Sequence, residues 1–472
     1  MHPISTSPVD DRHVNLTVAL AVLGVFVTYV PITSVSVSLS TIGTLTSASP
    51  SDLQWISDAY VIPMAAAVLS AGVIGDLHGR RRTYVIGMLL TLVGGVVAGL
   101  GALAEGATAV HVLWAGQAVS GLGAGLLLPT TLALIAHAVP DFRARGRYIS
   151  LWATGIVLGL AVGPLFAGVL LEHFSWGWIY APTVVLAAVA GVFALLRLPE
   201  SKAPEGRHLD WPGQVLATVT VAASIYGVIA GGESGWSSPS CVLGLALGAL
   251  ALVGLIVVEN RSSSPMLDLG LFRSAQFSVA GVSALVALFS IVGTMFLLSL
   301  FLGYTQQLSP LQIGLRLLFV SGVSALANPL VGRVMGTVRP IVLLGGGLLL
   351  SGVGLSFIAA VDEQTGFADL AWRFAVFGLS MSFMLTPVSV VAVNSVPWPK
   401  AGMAAATNTA LRQYGGALGP AILGVVYAGR QAQGASPAQA LSASVSVTVV
   451  LVVLAGVACL VVAARGRTTA ER

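Results

Sequence analysis

Long apolar runs broken by short polar stretches dominate this chain. They fall at 14–40, 53–74, 83–104, 108–136, 147–171, 177–197, 213–231, 240–258, 276–303, 310–335, 340–361, 370–394, 402–428 and 440–464. A helix that crosses a bilayer needs about 20 mostly apolar residues, and each run suffices. The runs are continuous and do not alternate, so they predict helices and not the strands of a membrane barrel. The expected fold is therefore an all-α integral membrane protein with fourteen transmembrane helices. The first run follows Asp10, Asp11 and Arg12 without a convincing small-residue cleavage site, and reads as an uncleaved first span.

Composition agrees with lipid as the solvent. Of the 472 residues 56% are hydrophobic and 8% charged, against roughly 25% charged in an average soluble domain. Mean hydropathy is +0.92. The net charge of +4 does not point to nucleic acid, because the basic residues are scattered in short loops between apolar runs. With fourteen spans, Lys and Arg gather on the side that holds both termini. The exceptions are Arg430 on the other side and Arg316, Arg373 and Arg412 within spans. The positive-inside rule then places both termini in the cytoplasm. Arg is far commoner than Lys, and Ala, Gly and Val abound, which hints at a bacterial source and hence a bacterial inner membrane. Cys241 and Cys459 form no disulfide framework, and no Cys/His cluster has metal spacing, so neither a metal nor another cofactor is expected.

The chain repeats itself. Gly163-Pro164 and Gly168 of span 5 recur as Gly419-Pro420 and Gly424 of span 13, at an offset of 256. Gly121 and Pro129 of span 4 recur as Gly378 and Pro387 of span 12, at offsets of 257 and 258. Spans 1–6 and 9–14 thus read as parallel six-helix repeats with spans 7 and 8 inserted. The expected division is an N-terminal bundle at 1–200, the two additional helices with their linkers at 201–262, and a C-terminal bundle at 263–472. Two such halves describe transporters that rock around a midplane site.

Three groups of residues carry the chemistry. The loop after span 2 reads Gly75-Asp76-Leu77-His78-Gly79-Arg80-Arg81-Arg82. An acid followed by a basic cluster at a helix end can bond a neighbouring helix terminus, or simply anchor the chain by the positive-inside rule. Span 5 places Gly155, Gly159 and Gly163 four residues apart on one face, where they let helices meet backbone to backbone. Asp58 lies deepest of the acids within the apolar spans. An ionised carboxylate in hydrocarbon costs at least ~2.5 kcal/mol and usually faces a functional cavity. Capping of span 2, or a water-filled vestibule, is the plainer alternative. Arg412 is the other deep charge. It could pair with an acid, bind an anionic group or hold backbone carbonyls. His137 and Tyr148 read as structural, and Arg316 and Arg373 as snorkelling to the outer interface.

The loop at Gly75, Asp76, Gly79, Arg80 and Arg81 resembles the signature loop of the major facilitator superfamily. There the acid contacts the start of the helix that begins here near Gly402 and latches the outward-facing state; Leu77 stands where a basic residue is usual. The stripe of Gly155, Gly159, Gly163, Pro164 and Gly168 is similar to the motif associated with exporters of that superfamily. Gln54-Trp55, Asp58, Tyr60, Asp210-Trp211-Pro212-Gly213, Ser309-Pro310-Leu311 and Arg412-Gln413-Tyr414-Gly415-Gly416 look like the fourteen-helix drug:H+ antiporter family. The resemblance implies a major facilitator fold of two six-helix bundles plus two central helices. It also implies a functional monomer that exports lipophilic drugs, cationic or neutral, in exchange for protons.

Two departures stand out. Pro31 occupies the position of the family's usual acid in span 1, and Gln117 that of its usual Arg in span 4. With both gone, Asp58 is the remaining proton-coupling candidate, and an uncoupled or differently coupled metabolite exporter is the alternative. Met64, Gln117, Phe296, Met381, Phe383 and Met384 are candidate lining residues of the substrate cavity, since Met and aromatic surfaces adapt to varied ligands. No nucleophile–base pair or P-loop is present, so neither an enzyme nor an ATP-driven pump is expected.

Overall fold

The structure is a computed structural model that describes residues 11–139, 142–202, 210–262, 265–397 and 400–468. Every apolar run of the sequence is a helix, and among the described residues there is no strand. The helices are α1 (Asp11–Thr46), α2 (Pro50–His78), α3 (Arg80–Leu100), α4 (Gly106–Ala138), α5 (Phe142–His173), α6 (Ala181–Arg197), α7 (Trp211–Ser234), α8 (Pro239–Arg261), α9 (Ala275–Leu300), α10 (Pro310–Val334), α11 (Pro340–Ala359), α12 (Phe367–Asn394), α13 (Ala401–Ala432) and α14 (Pro437–Thr468).

Twelve of these helices are individually long and apolar enough to cross a membrane. The other two are more polar. α2 qualifies only as a bent pair of shorter pieces, Pro50–Val68 and Ser70–His78, and it carries Asp52, Gln54, Asp58 and Asp76. α13 carries Asn408, Arg412, Gln413, Arg430 and Gln431. The two helices pack against each other, and Gln54, Asp58, Asn408, Arg412 and Gln413 are buried, so these polar side chains need no lipid-compatible surface. Of the basic residues assigned to the cytoplasm, Arg207 and Arg472 lie outside the described residues.

Local sequence sets the helix starts. Ser49-Pro50 and Ser309-Pro310 open α2 and α10 with matching capping boxes, closed by Asp52 and Gln312. Each box satisfies backbone donors that the first turn leaves free, and Pro at N1 sacrifices none. The Asp210 side chain accepts from the Gly213 amide at the start of α7.

Glycines set the packing. A Cβ on Gly159 would lie 2.8 Å from the Phe26 carbonyl oxygen, and one on Gly163 the same distance from that of Val30, so α5 docks on the backbone of α1. The second part of the chain repeats the arrangement. There Gly415 and Gly419 of α13 meet the carbonyls of Leu285 and Phe289 on α9. Likewise Gly121 of α4 meets Tyr60 of α2, and Gly378 of α12 meets Val320 of α10.

Two crossings join the repeats. α5 meets α10 where Gly168 faces Leu311 and the Pro164 carbonyl faces Gly314. α2 meets α13 where Gln54 lies over Gly424. Both crossings sit at the end of the molecule remote from Arg80, called here the far end; the opposite end is the basic end. α7 lies along the second crossing and touches both helices. Gln214 bonds Ser70 and the Ala66 carbonyl of α2, Ser224 bonds Tyr414 of α13 at 2.8 Å, and Glu233 accepts from Ser51 at 3.3 Å.

Candidate functional site

The deepest polar groups lie where α1, α2, α4, α9 and α13 converge. Asp58 is fully buried, and neither carboxyl oxygen has a hydrogen-bond partner. It lies one helical turn after Gln54, which touches α13, and three residues after Trp55, whose ring lies 6.4 Å from that of Tyr226 on α7. Helical periodicity therefore sets Asp58 on the stripe of α2 shared by α13 and α7.

Arg412 is 5% exposed and reaches across to α1, where Nη2 donates to the Tyr29 hydroxyl at 3.3 Å. Its Nε has no partner. Asp58 and Arg412 form no ion pair with each other. The neighbouring Gln413 donates to the Met64 sulfur at 3.1 Å and keeps an unpartnered carbonyl oxygen. Tyr60 donates to the Thr28 carbonyl at 2.6 Å, and Asn408 to that of Ala280 at 3.3 Å. The seam thus holds several buried groups whose hydrogen-bonding capacity is only partly used. Such groups are costly in a structural core and suit a surface that changes partners.

The residues expected from the sequence separate into distinct places. Gln117 donates to the Ile56 carbonyl at 3.2 Å and shares a small crevice with Pro31, Ser57 and Tyr60. The crevice takes in Ser57 and Val61 of α2, which flank Asp58 by one position and by one turn. Phe296 lines a larger cavity of about 690 Å3 at the far end. Met381 and Met384 are buried in the main apolar core, and Phe383 backs against Gly347 of α11. Gly155, Gly159 and Gly163 face α1, whereas Pro164 and Gly168 face α10, so the glycine stripe serves two partners.

In the loop between α2 and α3, Asp76 pairs with Arg80 four residues on, at 2.8 Å. The Arg81 amide donates to Glu200 Oε1 at 3.0 Å, and Arg81 and Arg82 lie within 4 Å of that carboxylate. Gly79 has φ +114°, and a Cβ there would run into the Glu200 carboxyl. The loop is therefore tied to the segment after α6. At the start of α13, a Cβ on Gly402 would meet no atom within 4 Å. Arg316 and Arg373 stack on Phe367 and Trp372 at the far end.

Of the seam residues, Tyr29 goes unmarked in the sequence, and Tyr60 and Gln413 are marked there only as parts of the family resemblance. A polar aromatic or amide inside an apolar run was the available signal.

Long apolar helices enclosing a partly satisfied polar seam define a multi-pass membrane protein. The chain belongs to the Major Facilitator Superfamily, whose profile matches residues 21–420. It is 31% identical over 413 residues to the multidrug resistance protein Stp of Mycobacterium tuberculosis, covering 88% of this chain and 76% of that one. The multidrug efflux pump LfrA of Mycolicibacterium smegmatis is 31% identical, over 79% of this chain and 73% of its own. The tetracenomycin C resistance and export protein of Streptomyces glaucescens is 28% identical, over 81% and 70%. The fold resembles a POT family transporter, with TM-score 0.70, 12% identity and coverage of 94% and 95%. It also resembles the xylose transporter XylE of E. coli, with TM-score 0.65, 14% identity and coverage of 95% and 96%.

Proposed function

We propose that this transporter exports small lipophilic drugs or metabolites in exchange for protons, by alternating access between two six-helix halves. The halves are residues 1–200 and 263–472, joined by the pair at 201–262, with fourteen spans and both termini in the cytoplasm of a bacterium. The protein acts as a monomer. Export is supported by the names of the relatives, which are drug efflux and resistance proteins. Coupling rests on one observation: Asp58 is fully buried with no partner for either oxygen. A carboxyl group so placed is far cheaper neutral than charged, so reaching water and leaving it again involves a proton.

The test uses acid-loaded inverted vesicles and a panel of lipophilic cations and neutral antibiotics. Compounds that the protein carries trigger proton release, absent from empty vesicles and from Asp58→Asn. Unchanged release in that variant removes Asp58 from coupling. A second reading, uncoupled or differently coupled export, is favoured by Pro31 and Gln117 sharing one crevice where the family has an acid and a base. Accumulation of a labelled compound without proton release supports that reading.

A further inference from the structure

We infer that the far-end cavity is a second ligand site, distinct from the polar seam, built for an uncharged aromatic molecule that can donate a hydrogen bond. Its volume of about 690 Å3 falls within the usual range for drug-sized ligands, about 300–1,000 Å3. No charged side chain lines it. Two carboxylates beside it are held by backbone and hydroxyl donors of helix starts: Glu363 by the Ala438 amide and the Ser436 hydroxyl at α14, and Asp52 by the Ser49 amide and hydroxyl at α2.

The walls are shaped for this purpose by local sequence. α9 ends in a single π-helical turn, Phe301–Thr305, which projects Tyr304 and Thr305 into the space. π turns inside helices are costly and concentrate at functional sites. The Tyr304 hydroxyl lies where any side chain at Gly43 would sit, and Gln54 lies where one at Gly424 would. Two glycines thus hold open the positions of an aromatic ring and an amide. Phe296 and Tyr427 add aromatic walls.

Gln54 makes the cavity a site and not a void. The residue is 3% exposed, lines the cavity, and its carbonyl oxygen has no partner. A buried acceptor without a donor is a standing cost of about 1–3 kcal/mol, and a ligand donor would relieve it. The walls come from α1 and α2 on one side and from α9, α13 and α14 on the other. The site therefore exists only while the far ends of the two repeats hold this arrangement.

The experiment uses the full chain in lipid nanodiscs with Ala428→Cys as a reporter inside the cavity; Cys241 and Cys459 are both buried. The readout is the rate of reaction with a hydrophilic maleimide. Chloramphenicol, an uncharged aromatic compound with hydroxyl and amide donors, should slow labelling at least fivefold, and tetraphenylphosphonium should not. Adding Gln54→Leu should raise the half-protecting concentration at least fivefold. Gln433→Cys, exposed at the same end and outside the cavity, should label at an unchanged rate. Three results would each overturn the inference: no slowing up to the solubility limit, equal slowing at Gln433→Cys, or protection indifferent to Gln54→Leu. The readout is binding alone, so a chain that moved no protons would still pass or fail it.

Discussion

Asp58 and Arg412 show two ways to keep a charge inside a membrane protein. Arg412 is held by the Tyr29 phenol, whereas both oxygens of Asp58 are bare. The two therefore respond oppositely to replacement. Tyr29→Phe should lower thermal stability by ~1 kcal/mol, the worth of one hydrogen bond, and Arg412→Ala by more, because it also empties packed space. Asp58→Asn should leave the melting midpoint unchanged or raise it, since it removes a buried carboxyl that no donor compensates. A midpoint several degrees lower would mean that the carboxylate is structural. Melting of the purified variants, followed by thiol-reactive dye, decides both. The sequence marked both charges as deep. It could not say which had a partner, because Tyr29 lies 383 residues from Arg412 along the chain.

At the scale of elements, helices were legible and seams were not. Hydropathy marks all fourteen helices, and Ser-Pro pairs mark where α2 and α10 begin. The glycine stripe of α5 was legible as a packing face. That it serves α1 with three residues and α10 with two was not, because spacing gives a face but not its partner. A side chain at Gly159 would strike the α1 backbone, which cannot move aside as a side chain could. Gly159→Val should therefore cost ~1–3 kcal/mol, the usual range for overpacking, read as a lower midpoint and reduced yield of folded protein. Tyr414→Phe, which breaks the bond between α13 and α7, should cost ~1 kcal/mol with the fold retained.

The link between the α8–α9 connection and α13 responds to pH. The bond from Lys400 holds the Asp268 carboxyl below its usual value. Its contribution is complete above the ordinary carboxylate range and is lost as pH falls through that lowered value. The pair is partly exposed, so it is worth under ~1 kcal/mol. Lys400→Ala should flatten the acid limb of the stability profile by that amount.

At the scale of the molecule, the repeats meet along α5–α10 and α2–α13, and the α5–α10 crossing closes at the far end. Ser309 of α10 donates to Glu172 of α5 at 3.0 Å. Glu172→Cys and Ser309→Cys, bridged by a short cleavable thiol reagent, should cut transport at least tenfold, and reduction should restore it. Transport that survives bridging would rule out rocking about this contact. The cavity beside that end was invisible in the sequence, since its lining comes from five helices and a π turn that no periodicity announces. Phe296 alone of its lining is a cavity candidate from the sequence; Gln54 and Gly424 are marked there only by the family resemblance and the repeat.

The backbone docking of α5 on α1 and of α13 on α9 has an evolutionary corollary. Where helices touch through glycine and carbonyl, few side chains can be exchanged without a clash, and those positions have little freedom to drift. Asp58 and Gln413 in the seam and Gln54 in the far-end cavity carry oxygens without partners, and replacing one of them breaks few bonds. A lineage with this architecture can change its cargo by a few substitutions there while its helix docking stays fixed.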